Sequence, residues 1–397
     1  MRRLFSLAVL LTAATIGCDD EPKPTNAPPA ASGNVAPTQA PSAAPDATRS
    51  APARRLPIID VDEPDDARRE DFALSHAAAF DLVGSPPGAT LIWATKDAVR
   101  AARLSRSGEL QRETVVTKGR GVSEIAAAAT AARLAAIWVA EDATFVTASS
   151  PLPELAFTAP RPIGKTEPYE PGGRGRLHAS ATPSGGLMAL ARTADEPCER
   201  YDEASCANFT MLDLVERRAQ RRPGLEVPHP CRRPIAGFAV AGLHWHYAVC
   251  HHDGPVSKTV LFTAQQTPSY AQTQELLTGC SPRGITRRGD DIWLSGRCGE
   301  EQRAIHVRKL DVTLGATTTG EEVTCEDDDL ILELDGERVA FDEATVGLGA
   351  LLSPHRFVAE ARAVWTGRTL IVAHAVGERL VIDRHHCRAG MLTRRSR

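Results

Sequence analysis

Apolar positions in this chain come in short runs instead of helical stripes. Thr90-Leu91-Ile92-Trp93, Ala136-Ile137-Trp138-Val139, Gly186-Leu187-Met188-Ala189, His244-Trp245-His246-Tyr247, Ile292-Trp293-Leu294 and Thr369-Leu370-Ile371-Val372 are each bounded by Gly, Pro, Asp or Asn clusters. Runs of this length and composition predict strands. Successive centres lie roughly 40 to 60 residues apart, and a weaker copy, Arg338-Val339-Ala340-Phe341, precedes the last. Around each centre the same unit can be traced: an earlier strand, a turn, the apolar strand, a hairpin and further strands. The clearest copies run from Gly237 to Gly279 and from Arg283 to Cys325.

Four short antiparallel strands cannot stabilise themselves alone, but repeated radially each packs its apolar faces on its neighbours. The pattern therefore resembles an all-β β-propeller of about seven blades, near residues 75 to 119, 120 to 166, 173 to 228, 232 to 279, 281 to 326, 327 to 355 and 356 to 397. The sixth is short. No WD dipeptide at a blade end, kelch-type glycine pair or sialidase-type Asp box is in register, so no subfamily is implied. A pair of two-sheet sandwiches is the structural alternative.

The beginning of the chain has a different grammar. Arg2 and Arg3, an apolar run from Leu4 to Ile16 and Gly17 lead straight into Cys18. That run is shorter than the ~20 apolar residues of a spanning helix. It resembles the signal peptide of bacterial lipoproteins, which implies cleavage after residue 17 and lipidation of Cys18 with a palmitate-type anchor. An ordinary signal peptide with an incidental cysteine is the alternative. Residues 18 to 55 are rich in Pro and Ala and lack aromatics, so they cannot bury enough surface to offset their ordering entropy. They are expected to form a disordered tether, reaching up to about 100 Å from a bilayer. The expected organisation is thus signal peptide 1–17, anchored linker 18–55 and propeller-like domain 56–397. Asp19 and Asp20 resemble an inner-membrane retention signal of enteric lipoproteins.

Composition narrows the partners. Formal net charge is only −4, so no overall basic field attracts nucleic acid. Nine cysteines are present, and setting Cys18 aside leaves eight. An even number in an exported chain reads as a disulfide set, for which 105 connectivities exist. Cys198 and Cys206 flank a polar insertion, Cys231 and Cys250 bracket one strand pair, Cys280 and Cys298 bracket another, and Cys325 and Cys387 remain. In a propeller the second and third pairs staple the first two strands of a blade, and the last ties the sixth blade to the seventh. No C-x-x-C pair supports a thiolate zinc centre.

For catalysis the chain offers no G-x-S-x-G elbow, H-E-x-x-H helix, complete phosphate loop or dinucleotide fingerprint. One cluster stands out: His244 and His246 project from the same face of a strand, and a hairpin beyond them would return His251 or His252 alongside, as zinc or copper would require. Trp245, Tyr247 and Val249 would take the core face. The competing reading has these histidines packed between blades, hydrogen-bonded and metal-free. His385 and His386 form a weaker second candidate.

These features favour a non-catalytic binding or scaffold propeller without a cofactor, held to a membrane of the bacterial cell envelope by its lipid and facing the periplasm or exterior. Its partner would be a protein or a glycan. The alternatives are an envelope hydrolase or lyase working in the central funnel, and a metal-binding protein centred on His244 and His246.

Overall fold

The computed structural model describes residues 70–394, apart from 120, 167–176, 194–205, 221–226, 229–234, 243, 254–255, 266–270, 299–300, 309–310, 319–322, 335–336, 353–360 and 389. The signal segment, Cys18, the Pro/Ala-rich stretch, Cys198 and Cys231 lie outside the described residues, as do the side chains of Cys206, Cys250, His251 and His252.

Strand β1 (Glu70–Ala73) stands apart from the sheet that follows it. The first sheet is β2 to β5 (Phe80–Gly84, Ala89–Ala94, Ala98–Leu104, Leu110–Lys118), the second β6 to β9 (Glu124–Ala129, Arg133–Val139, Thr144–Pro151, Arg161–Lys165). The third holds β10 to β13 (Leu177–Ala181, Leu187–Thr193, Cys206–Asp213, Arg218–Gln220), with β14 (Val227–Pro228) paired to β12. The fourth is β15 to β18 (Ile235–Ala241, His244–Asp253, Val256–Gln265, Ala271–Thr278), the fifth β19 to β22 (Ser281–Arg288, Asp291–Cys298, Glu301–Arg308, Asp311–Thr318). In each, consecutive strands pair antiparallel, innermost first.

The last sheet is irregular. It contains β23 to β25 (Val323–Glu326, Asp329–Leu334, Glu337–Phe341) and β26 to β29 (Arg362–Trp365, Thr369–Val376, Arg379–Arg388, Met391–Arg394), joined where β23 pairs β29. Strand β23 belongs here and not to the fifth sheet, so the boundary expected at residue 326 falls earlier. Between β25 and β26 the chain forms a short helix, α1 (Gly349–Leu352), which packs on both β19 and β26. Where a sixth inner strand is expected, the ring has this helix and its approach, fastened by the reciprocal backbone pair Arg287 and Val346.

Six apolar cores alternate with the sheets in a closed cycle. Ile92 and Val99 meet Ile125 and Trp138 between the first and second sheets; Ile137 and Phe145 meet Leu187 and Leu212 between the second and third. Met188 and Phe209 meet Trp245 and Val260, and Leu261 meets Ile292 and Leu294. Trp293 meets Phe341, Leu351 and Trp365, and Ile371 and Leu380 return to Phe80 and Leu91 of the first sheet. Sheets that bury both faces on successive neighbours and return to the first form a propeller, and no sandwich makes this cycle. Double burial also explains the apolar runs: in β3, Leu91 and Trp93 face one core while Ile92 and Ala94 face the other. A strand buried on both sides reads as a continuous hydrophobic run.

Closure is shared between the two ends of the described chain. Strand β1 pairs β28 from Glu70 opposite Ile382 to Ala73 opposite Arg379, while β29 takes the other half of β28. Phe72 of β1 reaches across to Trp93, with ring centroids 4.8 Å apart.

Two disulfides match the expected pairs. Cys280 precedes β19 and bonds Cys298 at the end of β20, with Cα atoms 4.2 Å apart. Cys325 of β23 bonds Cys387 of β28, with Cα atoms 5.9 Å apart. The sequence separations are 18 and 62 residues. Constraint of the unfolded chain grows with loop length, to ~3 kcal/mol for the former and ~4 kcal/mol for the latter. Replacing Cys325 and Cys387 together by Ala should therefore lower urea-unfolding stability more than replacing Cys280 and Cys298; the reverse order would show that loop length does not set their contributions.

Candidate functional site

The inner strands converge on an axis, and many of the residues there are small. Ala126 to Ala129, Ala179, Ala181, Ala236, Gly237, Gly284, Ala361 and Ala363 line the axial cavity, whose volume is about 380 Å³. Backbones crowd around β19: a Cβ on Gly237 of β15 would lie 2.5 Å from the Ile285 nitrogen, and one on Gly284 2.8 Å from the Ala350 Cβ of α1. Both glycines adjoin register shifts, at Ile235/Gly237 and Pro282/Gly284. A cavity of this size accepts a small organic molecule.

An inner strand has a sheet neighbour on one side only, so backbone groups on its axial edge need other partners. Polar side chains of the preceding strand supply them. Asp81 on β2 accepts from the Ala127 N–H of β6 through Oδ2 (2.8 Å), and Glu124 on β6 accepts from the Leu177 N–H of β10 (3.2 Å). Ser180 on β10 accepts from the Val240 N–H of β15 (3.3 Å), and His178 Nε2 lies 3.1 Å from the Ile235 carbonyl. Thr286 on β19 donates to the Gly347 carbonyl (2.8 Å). The Oδ1 of Asp81 accepts from the Leu82 N–H (3.0 Å) and from Arg362 Nε of β26 (3.1 Å), joining the last sheet to the first.

Five charged residues line the cavity among the described residues: Asp81, Arg283, Arg287, Glu343 and Arg362. Asp81 is held by Arg362 and two N–H groups, and Glu343 pairs with Arg106 at 3.5 Å. Arg287 donates through Nη1 to the Gly289 carbonyl (3.2 Å), while its Nε is buried without a hydrogen-bond partner. Burial pulls the Arg287 pKa down, against the opposing pull of Asp290.

The histidine cluster is built differently from its sequence reading. Strand β16 continues unbroken from His244 to Asp253, so the hairpin comes after His251 and His252 and does not fold them back. At ~3.3 Å per residue they lie roughly 16 to 20 Å along the strand from His246. His244 and His246 are neighbours, with ring centroids 6.2 Å apart, but burial is not confined to one face here: Trp245 enters the core toward the third sheet, and His246 is buried too. His246 Nδ1 shares a hydrogen bond with Thr263 Oγ1 (3.1 Å). Burial first, and then the nearby His244, lower the His246 pKa to about 4. His385 and His386 sit on opposite faces of β28; His386 Nδ1 lies 2.9 Å from Thr369 Oγ1, and His385 is buried. Among the described residues no group of three or more His, Cys, Asp or Glu is placed to hold a metal ion.

Sequence reading missed Asp81, Glu124, Arg287 and Arg362. The signal for Asp81 was a single acid within the apolar run Ala79-Phe80-Asp81-Leu82-Val83, where an ionised group needs compensating partners.

No family model and no curated protein sequence matches this chain. Among solved structures it is similar to the β-propeller domain of the Trilobed protease from Pyrococcus furiosus, at 10% identity and TM-score 0.44 over 81% of this chain and 96% of that one. It is also similar to the SapL1 lectin in complex with alpha methyl fucoside, at 12% identity and TM-score 0.41 over 78% and 96% of the two chains. For the Dos1 propeller the values are 8% and 0.40, over 76% of each. The closed cycle of sheets, not these likenesses, carries the fold assignment.

Two outcomes follow from this geometry. Asp81→Ala strands Arg362 and the Ala127 N–H together and should cost about 3 kcal/mol in urea unfolding; a loss under 0.5 kcal/mol would remove Asp81 from its role in closing the ring. His246 titrates near 6.5 when unfolded and about 4 when folded, so the unfolded chain binds the extra proton between these values. Its contribution is full above pH 6.5 and declines by up to ~3 kcal/mol as pH falls toward 4. His246→Gln should flatten that part of the stability profile, and an unchanged slope would refute the assignment.

Proposed function

We propose that this chain is an exported lipoprotein whose propeller is a non-catalytic binding domain, held through Cys18 and a Pro/Ala-rich tether to a membrane of the cell envelope. Its loop faces meet a protein or glycan partner, and its axial cavity is a ligand-binding cavity and not a hydrolytic centre. The observation that carries this reading is the engagement of the cavity carboxylates. A glycosidase or other hydrolase of this kind needs an acid and a base free to exchange protons with substrate. Asp81 accepts from Arg362 and two backbone donors, and Glu343 is paired with Arg106. Fold alone does not choose between binding and catalysis, whereas the engagement of these side chains does bear on it.

The anchor is tested in cells by labelling with a palmitate analogue and fractionating the envelope. The natural chain should carry label and sediment with membranes, and Cys18→Ser should lose both. Equal labelling of the variant would overturn the lipoprotein reading. Photo-crosslinkers at exposed Lys96 and Glu154, in loops of the propeller, should trap one discrete envelope component. Turnover of an envelope polymer that is abolished by Asp81→Asn in a folded variant would instead establish an enzyme.

A further inference from the structure

We infer that the axial cavity binds the uncharged main chain of a short extended peptide with small side chains, held by peptide groups of β6 and β10 that the sheets leave facing the axis. This deepens the binding reading proposed above and rests on it in treating the cavity as a ligand site. The direction of each peptide group follows from how the hairpins close. Thr130 N–H donates to the Arg133 carbonyl (2.8 Å) at the β6–β7 turn, and Thr182 N–H donates to the Gly186 carbonyl (2.8 Å) at the β10–β11 turn. In an antiparallel ladder only alternate residues exchange bonds with the partner strand. Ala127 and Ala129 on β6, and Leu177, Ala179 and Ala181 on β10, therefore turn their N–H and C=O groups away from their sheets and toward the axis. Two contacts verify the direction: the Ala127 N–H meets Asp81, and the Leu177 N–H meets Glu124.

No ladder joins β6 to β10. Ala129, Ala179 and Ala181 line the cavity and keep accessible surface, so an incoming group can reach them. Ala179 and Ala181 repeat along one edge at about 6.6 Å, the interval at which an extended peptide offers N–H and C=O on one side. A main chain thus matches the edge in both spacing and chemistry, as when a strand is added to a sheet. Alanine side chains leave that edge open to close approach. Charge supplies the other half of the argument. Asp81 pairs with Arg362 at 3.1 Å, Glu343 pairs with Arg106 at 3.5 Å, Asp290 acts on Arg287, and Arg283 is engaged too. Matched charges give an ion no net attraction to offset its desolvation, whereas an uncharged amide brings its own donors and acceptors. The volume of about 380 Å³ fits a short peptide and excludes a folded chain.

The test is calorimetric titration and thermal unfolding of the full-length protein with N-acetyl-trialanine methylamide, its counterpart methylated at every peptide nitrogen, and N-acetyl-trileucine methylamide. The alanine peptide should bind and raise the unfolding temperature. Methylation, which removes the donors, and leucine, which overfills the cavity, should each weaken binding about tenfold or more. Ala179→Pro removes an axial N–H without taking a bond from the β10–β11 ladder, and should weaken the alanine peptide by a similar factor, as should Ala129→Pro on β6. No binding of the alanine peptide, equal affinity for the methylated or the leucine peptide, or binding unchanged in both Pro variants would each overturn the proposal. Should neither variant fold, the methylated peptide decides alone. Failure of the alanine peptide while the envelope component is still captured removes this inference and leaves the binding reading standing; failure of both removes both.

Discussion

The constraint on which the rest of this structure depends is the unpaired axial edge of each inner strand. A four-stranded sheet satisfies its backbone on three interfaces, and the fourth side faces its neighbours at the axis, too crowded for regular pairing. Asp81, Glu124 and Ser180 meet it by passing an oxygen to an N–H of the next inner strand, at Ala127, Leu177 and Val240. These contacts join one sheet to the next where the apolar cores end, so they set the spacing of inner strands and hence the width of the cavity. Arg362 and Asp81 apply the same device across the junction of last and first sheets, as an ion pair instead of a single hydrogen bond. A missing partner leaves a buried donor uncompensated, which costs more than the contact itself contributes.

This arrangement divides the polar groups near the axis into two kinds. Side chains that close the ring are unavailable for proton transfer, because their lone pairs are already directed at N–H groups or a guanidinium. The β19 wall lies beside a position where the ring has a helix in place of a strand. The ring closes there through Arg287 and Val346, through Thr286 and Gly347, and through Ser295 Oγ and the Ala350 carbonyl at 2.9 Å. Between regular blades Asp81, Glu124 and Ser180 accept from N–H groups, while beside the helix Thr286 and Ser295 donate to the carbonyls of Gly347 and Ala350.

How far the sequence reveals this depends on how local each cause is. Central strands such as β3, β7 and β27 are legible because burial on both faces makes an unbroken apolar run, a purely local signal. Cys280 and Cys298 are legible because their strands are adjacent in sequence. The pairing of β1 with β28 is not, since four residues of ordinary composition acquire meaning only from a partner some three hundred residues away. The sixth position was misplaced for a related reason: β23 to β25 carry strand composition, yet their sheet neighbour is β29, and the axial place is taken by Gly349–Leu352. His244 and His246 share a face as alternation requires, but alternation says nothing about whether the opposite face alone is buried. In a blade packed on both sides, both faces are.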